Sequence, residues 1–324
     1  MEVHAGNISN CSEEVKLPLA LFAVDRNSKK RLLFDVSSRK IHGVRSSVFP
    51  DATCVFENGG WFLMMQHKPL YLQEQTVFLV HSSSGRRLDL PVIPSSDKGF
   101  FLFYVDSHGA PLVVARVEMW SLVPTIHIAC PGDVYWSVYE HDVDPLCNSR
   151  TMCRLLEPIC IVDVALLGKE AICLDLNGQV LIFSLTEMAC RRTVSCPEGS
   201  KQDQRFLVAA NGEAVLVSHS HTTENAFKFL KLDMESLEWL PMEDWELDGT
   251  SWFLCKGQSF RVKDAGKRKV YTFSCASGHD PLESITNVYS YDLDDGTVEM
   301  VIPASIVTEV RHWIRPCVFA TPAK

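Results

Sequence analysis

No run of 18 uncharged apolar residues occurs anywhere in the 324-residue chain; even the stretch 158–167 is cut by Asp163 and is too short to span a bilayer. The opening Met1-Glu2-Val3-His4-Ala5-Gly6-Asn7 has neither the basic start nor the apolar centre of a secretory signal. Positive charge is also scarce. Lys and Arg number 31 against 40 Asp and Glu, a formal net charge of −9. That balance argues against non-specific binding to nucleic acid or to an anionic membrane. The 12 cysteines include no CxxC pair and no dense cluster. Cys54, Cys173 and Cys255 sit in apolar runs, where a thiol acts as a small hydrophobe. These features together describe reduced cysteines of an intracellular protein, in the cytoplasm or nucleus. Without a signal peptide, the sequons Asn7-Ile8-Ser9 and Asn10-Cys11-Ser12 read as chance matches.

Motifs for covalent and phosphate chemistry are missing as well. There is no GxSxG, and Ser83-Ser84-Gly85 lies in a turn without the strand-to-helix elbow of a nucleophilic serine. Gly59-Gly60 and Gly249 lack the GxGxxG or GxxxxGK spacing that cradles phosphate. Basic runs at Lys29-Lys30-Arg31, Arg86-Arg87, Arg191-Arg192 and Lys267-Arg268-Lys269 are scattered and read as solvated turn faces.

What the chain does contain is strand and turn. With 46% hydrophobic and 22% charged residues it has the composition of a globular protein. Short runs of Val, Ile, Phe, Tyr and Leu alternate with Gly, Ser, Asn and Asp. Strands are expected at 19–24, 31–36, 61–66, 77–81, 100–105, 112–117, 161–166, 171–174, 180–184, 206–209, 214–217, 227–232, 251–255, 270–273 and 288–292. Helical periodicity is confined to 145–156 and 304–313.

One pattern recurs: apolar residues, a polar turn, then a charged-apolar strand often ending in Leu-Pro. Its markers Leu33, Phe78, Ile182, Leu230 and Tyr289 are separated by 45, 104, 48 and 59 residues. The long gap holds a degenerate copy at 113–128. A period of roughly 40–50 residues is that of four-stranded propeller blades. One small antiparallel sheet cannot bury both of its faces, and radial stacking buries them while leaving only short edges. The expected fold is therefore all-β: a β-propeller of about six, alternatively seven, four-stranded blades, closed by pairing of the N- and C-terminal segments. Residues 17–318 form the single propeller domain, 1–16 a flexible N-terminal segment and 319–324 a C-terminal tail.

Two stretches carry a family resemblance. Gly60-Trp61-Phe62-Leu63, then Val77-Phe78-Leu79-Val80 and Ser84-Gly85-Arg86-Arg87-Leu88-Asp89-Leu90-Pro91, resembles the "GWL … LxNPxTGxxxxLP" blade of plant F-box-associated, KIB-type propellers (F-box/kelch-like proteins). Trp252-Phe253-Leu254-Cys255-Lys256-Gly257-Gln258-Ser259-Phe260, then Val270-Tyr271-Thr272-Phe273 and Tyr289-Ser290-Tyr291-Asp292-Leu293, resembles the same group's "FLGxxxSF … IYF … VFDL" signature. Trp313-Ile314-Arg315-Pro316 is similar to its closing Trp-x-x-Pro. The chain departs from the pattern at His81-Ser82, where the group has Asn-Pro. It also departs before the first strand, where only about 16 polar residues replace the helical F-box. The resemblance implies a non-enzymatic protein-interaction propeller like the substrate-receptor part of F-box proteins. Without the F-box, a ubiquitin-ligase adaptor is not expected among its partners.

Three groups of residues bear on chemistry. His219-Ser220-His221 places two imidazoles on one strand face with Glu224 nearby, a set that could hold zinc. The reading adopted is a polar hairpin end, with no metal and no cofactor assigned. Glu140, His141, Asp142 and Asp144 form a carboxylate–imidazole cluster able in principle to do acid–base work. They fall in 131–158, the longest break in the blade rhythm, which reads as a solvated loop. Trp136, Tyr139, His141, Asp142, Arg150 and Arg154 of this insertion are assigned to a partner-binding rim, because Trp, Tyr and Arg are enriched at hot spots. No catalytic residue is assigned. A protein client is expected, and no nucleic acid or membrane. The alternatives left open are a metal-dependent enzyme with a site in the propeller channel, or a degenerate family copy without a partner.

Overall fold

The computed structural model describes residues 19–23, 30–35, 40–45, 52–67, 74–94, 99–140, 159–196, 204–220, 227–263, 268–275, 285–302 and 310–314. The expected segments 1–16 and 319–324 lie outside them. Antiparallel hairpins dominate. β1 (Leu19–Ala23), β2 (Lys30–Asp35) and β3 (Lys40–Arg45) pair in order. β4 (Thr53–Asn58), β5 (Trp61–His67), β6 (Glu74–His81) and β7 (Arg87–Asp89) form the next sheet, with β8 (Ile93–Pro94) returning to β6. β9 (Gly99–Val105), β10 (Pro111–Glu118), β12 (Thr125–Ala129) and β13 (Ser137–Glu140) make the third. The short β11 (Trp120–Ser121) leaves that run and joins a fourth sheet. Its other strands are β14 (Ile159–Leu167), β15 (Glu170–Asp175), β16 (Gln179–Ser184) and β17 (Ala189–Ser195). β18 (Gln204–Ala210), β19 (Glu213–His219), β20 (Phe227–Asp233) and β21 (Glu238–Pro241) follow.

A single helical turn, α1 (Asp244–Leu247), precedes the last internal sheet. That sheet has the order β23-β22-β24-β25-β26, from β22 (Thr250–Leu254), β23 (Phe260–Lys263), β24 (Lys269–Cys275), β25 (Ile285–Asp292) and β26 (Val298–Ile302). β22 and β24 run parallel. Finally β27 (Val310–Ile314) pairs antiparallel with β1, so strands from the two ends of the sequence share one sheet.

This is an all-β propeller. Five blades come from the stretch between Thr53 and Ile302, rather than six or seven, and the terminal strands add a further four-stranded sheet in the order β27-β1-β2-β3. The repeated marker pattern coincides with the hairpin that ends on the outermost strand in five of the sheets: β2–β3, β6–β7, β16–β17, β20–β21 and β25–β26. The degenerate copy belongs to the sheet of β9, β10, β12 and β13. The helix expected over 304–313 is corrected where it is described, since Val310–Ile314 is a strand held to β1. The helix expected over 145–156 lies outside the described residues.

The chain divides into two compact units, one of Met1–Gln66, Val80–Arg87 and Met242–Lys324, the other of His67–Leu79 and Leu88–Pro241. Within the second unit β15 is buried along nearly its whole length, and its core includes Ile172, Leu174, Val180, Ile182, Leu207 and Leu216. Strands buried on both faces read as continuous apolar runs. The outermost β17, Ala-Cys-Arg-Arg-Thr-Val-Ser, buries only Val194.

Side chains fasten neighbouring sheets within this unit. Asp163 of β14 is fully buried; its Oδ2 accepts the Leu207 N–H of β18 at 2.7 Å and its Oδ1 the Val164 N–H at 2.9 Å. Nearer the outer strands, Arg192 Nη1 donates to the Met234 carbonyl at 2.8 Å. In the first unit, Trp61 packs edge-on against His81 at 4.9 Å and Gln258 Nε2 donates to the Glu57 carbonyl at 3.4 Å. Phe253 stacks on Tyr271 at 4.8 Å in the same unit. No helix among the described residues is long and apolar enough to cross a membrane.

Candidate surface for a protein partner

The turn between β12 and β13 is set by Asp133 and Gly132. Asp133 Oδ2 accepts the Cys130 N–H at 2.7 Å, its own N–H donates to the Cys130 carbonyl at 3.0 Å, and Gly132 takes φ 99°. A residue with a Cβ is strained at such a φ, so glycine closes the turn. The chain leaving it presents Val134 and Tyr135 outward, 72% and 82% exposed.

Trp136 turns the other way. It is half-buried and its Nε1–H donates to the Pro91 carbonyl at 3.0 Å, tying this strand to the chain that follows β7. Tyr139 is half-buried too; its hydroxyl donates to the Met188 sulfur at 2.7 Å and its ring lies 6.4 Å from Phe183. Between these two anchors Val138 is 53% exposed. Exposed Val92 and Met188 continue the apolar character at either end. The two aromatic residues assigned from sequence thus hold the strand in place, while Val134, Tyr135 and Val138 face solvent. His141, Asp142, Asp144, Arg150 and Arg154 lie outside the described residues. Glu140 is exposed at the end of β13.

Beside Val138, across the β12–β13 pair, begins a polar cluster that the sequence alone does not show. His127 is the cross-strand partner of both Val138 and Arg116. Its Nε2 meets Glu118 Oε1 at 2.6 Å, and the buried Arg116 reaches the same oxygen at 3.8 Å. A carboxylate shared by two nitrogen bases satisfies charge in a part-buried setting. The only sequence signal was three polar residues inside two otherwise apolar strands, visible once their register is known.

A second apolar row crosses β11 and β14 to Leu176, the residue just past β15. Trp120 is opposite Cys160, and Cys160 accepts the Leu176 N–H at 2.7 Å. Directly opposed residues of antiparallel strands face the same side. Trp120 and Leu176 are exposed and flank buried Cys160, with exposed Leu122 next along the chain.

The zinc alternative meets a different geometry at its first residue. His219 is buried and its ring stacks on Phe227 at 4.2 Å and 4°, in the manner of a packed core histidine. His221 and Glu224 lie outside the described residues. Among the described residues, no three His, Cys, Asp or Glu side chains are grouped to hold a metal ion. Burial holds the thiols in their neutral form: it pushes Cys54 far up, Cys173 up to about 12 and Cys196 up to about 11. A nucleophilic cysteine needs the opposite shift.

A family model described as KIB1-4 beta-propeller matches residues 33–275. Among solved structures, the chain is similar to the β-propeller domain of Cps50 (Swd1) from Myceliophteria thermophila. That match has 8% identity and a TM-score of 0.40 over 87% of this chain and 95% of the other. The WD40 domain of Pan2 from Neurospora crassa is similar at 12% identity and TM-score 0.40, covering 80% of this chain and 68% of that one. No curated protein matches the chain.

Proposed function

The chain belongs to the KIB1-4 beta-propeller family, and from that premise we propose that it is a non-enzymatic protein-interaction scaffold that recruits a protein client in the cytoplasm or nucleus. The observation that carries this reading is the run Val134, Tyr135 and Val138, three exposed apolar side chains on one short segment of an acidic protein. A single exposed apolar residue means little, but a contiguous group marks a contact surface. The segment is rigidly supported, since Trp136 and Tyr139 fasten it on both sides. Preorganisation of that kind lowers the ordering cost of binding. Nearby ionisable groups already serve structural ends: Asp133 closes the turn and Glu118 pairs with His127 and Arg116.

The finer proposal is a role like the substrate-receptor part of F-box proteins, with specificity in the loops and edges of the blades. Arg150, Arg154, His141 and Asp142 extend the proposed contact along the chain. The net charge of −9 favours a protein client over nucleic acid or an anionic membrane.

The test is co-precipitation from cells of origin with the tagged full chain and two variants. A Tyr135→Ser/Val138→Ser double variant is expected to lose a reproducible partner that wild type and Asn177→Ala both retain. Retention of every partner by the double variant would remove this surface from the account.

A further inference from the structure

The outer strands of the blades differ in how they are guarded, and β13 is the least guarded. An edge strand offers a row of backbone donors and acceptors, which proteins normally protect with Lys, Arg, Pro or a central charge. β17 carries Arg191 and Arg192, β21 ends on Pro241, β7 has Arg87 and Asp89, and β26 has Glu299 in second place. β13 reads Ser-Val-Tyr-Glu and has no charge before its last residue. It lies at the end of its sheet, and among the described residues the sheet order continues from it only to β12.

We propose that β13 accepts a partner segment as an added antiparallel strand, and that this segment is an extended, apolar peptide carrying a Lys or Arg. This rests on the scaffold reading and gives the partner's chemistry. The extended form follows from the edge, because only a strand can meet backbone groups spaced along four consecutive residues. The apolar character follows from Val138 and from Val134 and Tyr135 beside the edge. The positive charge follows from complementarity: Glu140 ends the strand, exposed Asp133 lies in the preceding turn, and the whole chain carries −9. A cation opposite Glu140 makes a favourable cross-strand pair, and Tyr135 offers it an exposed aromatic face. The same charge disfavours a second copy of this chain, which would bring another −9 to the edge.

The experiment uses the full chain and a fluorescent probe, acetyl-Lys-Val-Thr-Val-Lys-Val-amide, followed by anisotropy and by amide exchange at residues 137–140. Saturable binding is expected, with new protection at alternate amides of β13. Methylating the probe's backbone nitrogens one at a time should abolish binding at every second position. Glu140→Gln should weaken binding about two- to fivefold. No binding, or binding indifferent to backbone methylation, overturns the proposal. So does alternate protection that grows with protein concentration in the absence of probe, which would mean self-pairing. The two readings separate cleanly. If Tyr135→Ser/Val138→Ser loses its cellular partner while β13 gains no protection, the scaffold stands and strand addition falls.

Discussion

Replacing Asp163 should be among the most damaging single changes in the second unit. The side chain is 0% exposed, and its carboxylate receives the Leu207 N–H at 2.7 Å and the Val164 N–H at 2.9 Å. The first of these joins β14 to β18, strands of neighbouring sheets. Leucine at this position removes both acceptors and leaves two amides in a dry interior. Each stranded buried donor costs about 1–3 kcal/mol. Relief from burying a carboxylate offsets part of that, so a net loss of about 2–5 kcal/mol is expected. Asp163→Asn keeps one carbonyl oxygen and should lose roughly half as much. Urea unfolding followed by tryptophan fluorescence reads the loss. Amide exchange at Leu207 reads its cause, since that N–H should become the most accelerated of β18. Stability of Asp163→Leu within about 0.5 kcal/mol of wild type, with the Leu207 amide still protected, would refute the idea that this carboxylate holds adjacent sheets together.

Further outcomes follow from packing and ionisation. A Cβ on Gly99 would meet the Val117 carbonyl at 2.6 Å, so Gly99→Ala should destabilise by about 1–3 kcal/mol in the same unfolding assay. Burial raises Cys173 from the usual 9.0 to about 12. Its neutral thiol therefore stabilises the folded state fully below about pH 9, where the unfolded thiol begins to ionise, and that contribution fades as pH rises toward 12. Unfolding midpoints of wild type should fall across this window more steeply than those of Cys173→Ala. At pH 8 a thiol reagent should label half-exposed Cys130 well before Cys54 or Cys173, read by peptide mapping.

The inner strands were legible in the sequence because they are buried on both faces. Ile-Cys-Ile-Val-Asp-Val-Ala-Leu-Leu of β14 and Thr-Ser-Trp-Phe-Leu of β22 announce themselves as apolar runs. Outer strands gave no such signal. β17 is mostly polar, and β13 is four residues long, so both passed for loop. The repeat is legible in spite of this because the next-to-last strand and its polar turn recur, even where the outermost strand is weak. The blade number did not survive, since gaps between markers measure loops as well as strands. At the candidate surface, residue type pointed to Trp136 and Tyr139, but type alone does not tell which way a side chain faces. Trp136 and Tyr139 found partners in Pro91 and Met188 and became supports, leaving Val134, Tyr135 and Val138 outward. In the sequence Asp163 reads only as an interruption of an apolar run, because its partner Leu207 is 44 residues away.

The proposed contact of a client protein with this propeller is the β12–β13 segment. Placing a photo-activated cross-linking side chain at Val138, and separately at Asn177 as an exposed control, tests it directly in cells. A discrete covalent adduct is expected from position 138 that is absent from position 177. Equal labelling at both positions, or none above background at 138, would contradict it.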